Sequence, residues 1–170
     1  MNRHTSDERE VYEKFVSHVP IYSEWDVDVY RADHAGGWCS AERRTLRNTL
    51  LSGGLDEMAA LIVGDAASAT QYIAVGTVTA VASLESTNFG EVARKSGHTV
   101  GSSNEFIICA ATYGGAADAI TSVALETAAI GNHASSGQGV LFNALTGVST
   151  TLADSDLLSL TCHIRIGSHG

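Results

Sequence analysis

The stretch Leu158-Ser159-Leu160-Thr161-Cys162-His163-Ile164-Arg165-Ile166 decides the fold. Leu158, Leu160, Cys162, Ile164 and Ile166 fall on one side, and Ser159, Thr161, His163 and Arg165 on the other. A period of two kept without error belongs to a strand with one buried and one wet face. Working outward, residues 104–167 read as consecutive antiparallel strands joined by short glycine-rich turns. Strands are expected at residues 105–113, 120–127, 139–145 and 154–167. Gly114 and Gly115 turn the first of these, and a polar loop rich in Gly and Ser spans residues 131–139. The mixed apolar faces of residues 105–113 predict burial on both sides. In the next strand Val123 and Leu125 share a face. Upstream, residues 71–78 read as a strand with Ile73 and Val75 inward and Gly76 at a bulge or close approach. Short strands with glycine turns predict a mainly β chain, an antiparallel β-sandwich or barrel-like domain with N-terminal helices and an arm.

The front of the chain carries those helices. Thr5 followed by Glu8 fits a capping box, and Val11, Phe15 and Val19 make one apolar stripe before Pro20 ends the helix. So short an amphipathic helix must dock, on its own domain or on a neighbouring subunit. Residues 25–30 alternate, with Trp25, Val27 and Val29 against Asp26 and Asp28, an acidic row suited to guarding a sheet edge. Ala35, Gly36 and Gly37 make a loose turn. Ser40 can cap a second helix, with Leu46, Leu50 and Leu51 on one side, Arg43, Arg44 and Arg47 on the other, and Gly53-Gly54 at its end. The basic stripe has two candidate partners, internal carboxylates or an acidic face of another subunit. Residues 55–63 allow a short helix or turn, and residues 80–94 read as a loop with a helical turn. The expected organisation is an N-terminal helix and extended arm over residues 1–44 and a β-sandwich over residues 45–170. No linker or tandem repeat separates them.

The chain has 170 residues, 44% hydrophobic but only 6% aromatic, so its core must rest on Ala, Val, Leu and Ile. A net charge of -9 repels DNA and anionic lipid, which argues against nucleic acid or a membrane as partner. The charged start and the lack of an apolar run of ~20 residues predict no signal peptide and no membrane span. Cys39, Cys109 and Cys162 have no close pair in sequence; the latter two fall in predicted strands and read as buried small hydrophobes. A Cys109–Cys162 bridge requires those strands to be neighbours.

A search for chemistry returns little. HxH, HExxH and CxxC spacings are missing, and His34 with Cys39 supplies only two metal ligands. Asp154-Ser155-Asp156 reads as an Asp-capped turn rather than a calcium loop. There is no Gly-x-Ser-x-Gly elbow, and the glycine loops lack the Lys-Ser/Thr of a phosphate cradle. No catalytic residue, cofactor or metal is expected.

Four marks occur in order along the chain. Gln71-Tyr72-Ile73-Ala74-Val75-Gly76-Thr77 follows a leading helix ending near Leu51, and Phe89-Gly90-Glu91-Val92-Ala93-Arg94 carries an E-x-x-R turn. Ala119-Ile120-Thr121 leads to Glu126 and then Ala129-Ile130-Gly131-Asn132, and Ser155-Asp156-Leu157-Leu158-Ser159-Leu160-Thr161 opens the closing strand. Together they resemble a family of small bacteriophage virion structural proteins, over about two-thirds of the chain. Val78 stands where that family often has a second glycine. The resemblance implies a non-enzymatic virion protein, assembled in a bacterial host cytoplasm. Its first form is a capsid decoration or cement protein, a homo-oligomer with a trimer as one candidate order, bound to the major capsid protein or other virion proteins. A tail, collar, baseplate or fibre-associated component is the alternative, and a carbohydrate- or receptor-binding module the second. The residues expected at subunit interfaces are Val11, Phe15, Val19, Trp25, Arg43, Arg44 and Arg47.

Overall fold

A computed structural model of the chain describes residues 21–48, 51–63, 72–79, 87–101 and 107–166. The expected helix over residues 5–19, with Val11, Phe15 and Val19, lies outside them. The described residues form strands β1 (Ile21–Ala32), β2 (Trp38–Asn48), β3 (Tyr72–Gly76), β4 (Glu91–Ser96), β5 (His98–Val100), β6 (Ile107–Gly114), β7 (Ala124–Gly131), β8 (Leu141–Thr151) and β9 (Leu157–Ile166), with one helix, α1 (Ser52–Val63), between β2 and β3. They make two antiparallel sheets, a five-stranded one in the order β2-β1-β9-β6-β5 and a four-stranded one in the order β4-β3-β7-β8. The predicted mainly β sandwich is what the chain adopts.

The deciding stretch sits at the centre of the five-stranded sheet, paired with β1 on one side and β6 on the other. Leu158, Leu160, Cys162 and Ile164 are fully buried. They face Ile73 and Val75 of β3, Ala128 and Ile130 of β7, and Leu145 and Val148 of β8, in one core closed by Trp25, Val27, Val29 and Tyr113. At ~25 cal/mol per Å² of apolar surface removed from water, this face supplies the main drive for pairing the two sheets. Polar bonds fix their alignment. Trp25 Nε1 donates to Asn143 Oδ1 at 2.7 Å, and Asn143 Nδ2 donates to Ser23 Oγ at 2.6 Å, so a buried chain of bonds ties β1 to β8. The Tyr113 hydroxyl donates to the Ile73 carbonyl, tying β6 to β3.

The four-stranded sheet is buried on its back face too. Ala74, Ala129, Leu141 and Ala144 pack there with Phe89, beneath Leu51 and Val78. Alanine at the central positions leaves room for the Phe89 ring. Gly54 explains how α1 comes so close: a Cβ there would lie 2.1 Å from the Phe142 carbonyl oxygen. The sandwich is drawn together at its sides. β4 runs into β5 through Gly97, passing from one sheet to the other, a corner typical of barrel-like packings. Across the molecule, Arg44 of β2 donates from Nη1 to Gly147 O at 3.0 Å and from Nη2 to Val148 O on β8.

Several expectations are corrected. The expected second helix is not formed: residues 38–48 are β2, residues 49 and 50 lie outside the described residues, and Gly53 and Gly54 open α1 instead of ending an earlier helix. Local helix-forming residues yield there to pairing with β1, where Leu46 lies opposite Trp25 and Arg43 opposite Asp28. Residues 21–44 are therefore not an arm, and a boundary at 44/45 falls inside β2. β1 is not an edge strand, because β2 and β9 flank it. Residues 91–94 belong to β4 rather than to a helical turn. β6 is buried on one face only, with Thr112 exposed; burial on both faces occurs in β3 and β7. Ile120 precedes its strand, which starts at Ala124 and runs on to Gly131. The strands at residues 71–78, 139–145 and 154–167, the turn at Gly114-Gly115 and the loop near residues 131–139 fall where expected, with boundaries shifted by a few residues. β3 also carries the predicted irregularity at Gly76, where a Cβ would lie 2.5 Å from Phe89 O.

Candidate interface surfaces and the junction beneath a loop

The outer face of the five-stranded sheet is a ladder of opposite charges. Glu24, Asp26 and Asp28 of β1 stand opposite Arg47, Thr45 and Arg43 of β2. Arg43 Nε meets Asp28 Oδ1 at 2.6 Å, and that bond, with a second to Tyr30, holds the guanidinium pKa above its ordinary value. Arg47 lies 3.7 Å from Glu24 and stays 78% exposed. On the other flank His163 Nε2 is 3.2 Å from Asp26 Oδ2. Of the two partners foreseen for the basic stripe, these arginines have internal carboxylates.

The expected interface residues thus part company. Trp25 is fully buried between the sheets and presents nothing to a neighbour. Arg44 points inward, opposite Val27, to the carbonyls of β8, with Glu42 Oε1 at 2.7 Å from its Nε. Arg43 and Arg47 lie on the outer face. Trp38, which is not among the expected interface residues, is 51% exposed at the start of β2, next to the turn of residues 33–37. That turn is preorganised: Asp33 Oδ1 accepts from Ala35 N at 2.9 Å and Gly37 N at 2.7 Å. Trp38 carried a signal, since a tryptophan flanking a Gly-Gly turn has little local chain to cover it.

On the four-stranded sheet, Arg94 and Glu91 form a fork-to-fork ion pair. Nη2 meets Oε2 at 2.7 Å and Nε meets Oε1 at 2.9 Å, with side chains only 3% and 4% exposed. A regular strand would send residues three apart to opposite faces. The register shift between Val75 and Gly76 places Val92 as the extra residue, so Glu91 and Arg94 both reach the back face. The remaining Arg94 nitrogen, Nη1, donates to His133 O at 2.6 Å and Gln138 O at 3.3 Å. It grips both ends of a loop whose residues 133–139 are exposed. Asn132 closes the loop base, accepting from Val140 N at 2.9 Å and donating to Glu57 Oε1 of α1 at 3.2 Å. Bidentate pairing in a dry setting is among the stronger polar contacts a protein makes. A further inter-sheet contact lies across β4: Lys95 reaches Asp118 at 2.7 Å and Thr112 O at 2.9 Å, 5.4 Å above the Tyr113 ring centre.

The remaining candidates do not converge. Among the described residues, no three of His, Cys, Asp and Glu gather as a metal-binding group, and no helix is long and apolar enough to cross a membrane. His34 lies within the β1–β2 turn and Cys39 in β2, where Cys39 Sγ is 3.4 Å from Arg31 O. In the residue 154–156 turn, Asp156 Oδ2 accepts from Ala153 N at 3.0 Å, the Asp-capped turn that was expected. Comparison of the chain with protein-family models, with curated proteins and with solved structures gives no match.

Proposed function

We propose that the chain is a structural protein of a bacteriophage virion, and specifically a capsid decoration protein that braces the head shell. One observation carries the reading. Three of the four marks that resemble phage virion proteins fall on or beside the adjacent strands β4, β3 and β7, and Glu91, Arg94 and Asn132 from two of them meet at one place. Glu91 and Arg94 pair there, Gly131 lies under Arg94, and Asn132 closes the loop that Arg94 grips. Scattered motif residues that assemble into one buried joint describe a scaffold presenting a fixed surface. The charged side chains named above support the same reading, because Arg44, Arg94 and Lys95 are spent on internal structural contacts.

On this proposal the protein works by burying surface against its own copies and several shell subunits at once, so binding favours the assembled particle over its parts. The contacts come from the segment with Val11, Phe15 and Val19, from Arg43 and Arg47 on the charged ladder, and from Trp38, a residue type enriched at binding hot spots. The test is co-sedimentation of the purified protein with particles stripped of it. Wild type should pellet with the particles; Trp38→Ala and Arg47→Ala should lower occupancy. Undiminished occupancy removes the named contacts, and no pelleting by wild type removes the decoration reading.

The exposure of Trp38 beside a hairpin turn favours a second reading, a carbohydrate- or receptor-binding module. Quenching of Trp38 fluorescence by host surface glycan, with no binding to shells, would select it.

A further inference from the structure

The register of β6 on β9 sets Cys109 directly opposite Cys162. Both side chains point into the core between the sheets, and both are thiols. Directly opposed residues in an antiparallel pair have Cα atoms ~4.5 or ~5.5 Å apart, depending on which kind of pair they make. Either value lies within the ~4.4–6.8 Å that a disulfide accepts. The remaining adjustment is a closure of about 1 Å between the Cβ atoms. We propose that Cys109 and Cys162 are a latent cross-strand staple, reduced when the protein is made and joined once it meets an oxidising medium.

The chemistry balances with a small disulfide, such as oxidised glutathione, as the oxidant. One cysteine thiolate attacks a sulfur of that disulfide; a mixed disulfide forms and one small thiolate leaves. The second cysteine thiolate then attacks the protein sulfur and expels the other small thiolate. The two cysteines lose two electrons and two protons; the oxidant's S–S bond is reduced, and the protons end on its two thiols. Burial sets the pace. Both cysteines are fully buried, and desolvation, followed by the charge of Cys109, pushes the Cys162 thiol well above its ordinary range. Exchange therefore proceeds through opening of β9 from β6, slowly, over the lifetime of a particle rather than within a synthesis cycle.

The register alone carries the staple; its timing rests on the virion reading. A particle protein passes from a reducing cytoplasm to an oxidising exterior at lysis, the one step at which such a pair changes state. The bridge would span the chain from residue 109 to residue 162, so it removes much of the unfolded chain's freedom.

The experiment uses the full chain with Cys39→Ser, which removes the exposed thiol. The protein is incubated with oxidised glutathione in mild denaturant, returned to native buffer, and mapped by non-reducing peptide mass spectrometry. The expected result is a Cys109–Cys162 peptide lighter by two hydrogens, with Tm raised by about 10 °C and restored by a thiol reductant. Cys109→Ala in the same background should give neither. Thiols that stay fully alkylatable after this treatment overturn the proposal, as does a bridge that lowers Tm. A bridge formed by a protein that binds no particle upholds the staple and sinks the virion reading instead.

Discussion

The two sheets hold their place by different means. The five-stranded sheet has one apolar face and one face of paired charges, so its central strands β1 and β9 alternate cleanly. The four-stranded sheet is buried on both faces along its inner strands β3 and β7, between the core and a cover of α1 and Phe89. Its strands read Ile73-Ala74-Val75 and Ala128-Ala129-Ile130, where alternation is between large and small rather than apolar and polar. The first sheet is thus sensitive to what is removed from it, and the second to what is added to it or unpaired within it.

The largest effect is expected at the buried joint. Arg94→Ala leaves the Glu91 carboxylate in a dry site and releases both ends of the residue 133–139 loop. A loss of about 3–5 kcal/mol in urea unfolding is expected, with new protease cleavage inside the loop. Replacing both partners by Leu should cost much less, because no stranded charge remains. Equal losses in the single and double variants would show that the pair does not act as a unit.

A paired substitution separates the sheets next. Leu160→Ala opens a cavity on the five-stranded sheet and should cost about 2–5 kcal/mol. Ala129→Leu overfills the back face of the other sheet and should cost about 1–3 kcal/mol. Near-neutral Ala129→Leu would mean that Phe89 and α1 yield readily, and that the back face is loosely covered.

High pH loads the interior where the sheets meet. Burial raises the Tyr113 hydroxyl far above its ordinary 10.0 and the Cys162 thiol well above 9.0. The folded chain keeps protons that the unfolded chain releases, so the stabilisation is complete below these ordinary values and lost as pH rises past them. Above pH ~10 each group should subtract about 1.4 kcal/mol per pH unit, read as a falling urea midpoint. A flat midpoint from pH 9 to 11 would contradict the burial of both.

The smallest effect belongs to the ladder. Arg47→Ala should change stability by less than about 0.5 kcal/mol, since its ion pair is exposed and long. Any larger loss would place Arg47 in a contact within the chain rather than leave it available to a neighbour.

The same contrast explains what the sequence made legible. β9 and β1 announce themselves because water lies on one side of them. β2 did not: Ala41-Glu42-Arg43-Arg44 has helical propensity, and only the acids of β1, residues away in the chain, convert that charge pattern into a strand pair. Gly53-Gly54 suggested a helix end because glycine is the common stop, whereas the reason for glycine is the Phe142 carbonyl that α1 packs upon. β4 suffers from the bulge that makes it useful, since Glu91 and Arg94 three residues apart look like helix neighbours. The joint they form surfaced in sequence only as part of a resemblance, and its grip on His133 and Gln138 had no local signal.

The central claim is that this protein is a fitted part of a particle. Counting its copies in an image reconstruction of the intact virion tests that most directly. The account predicts on the order of hundreds of copies arrayed with the symmetry of the shell, each with Trp38 against a neighbour. Particles that lack the chain altogether would contradict it.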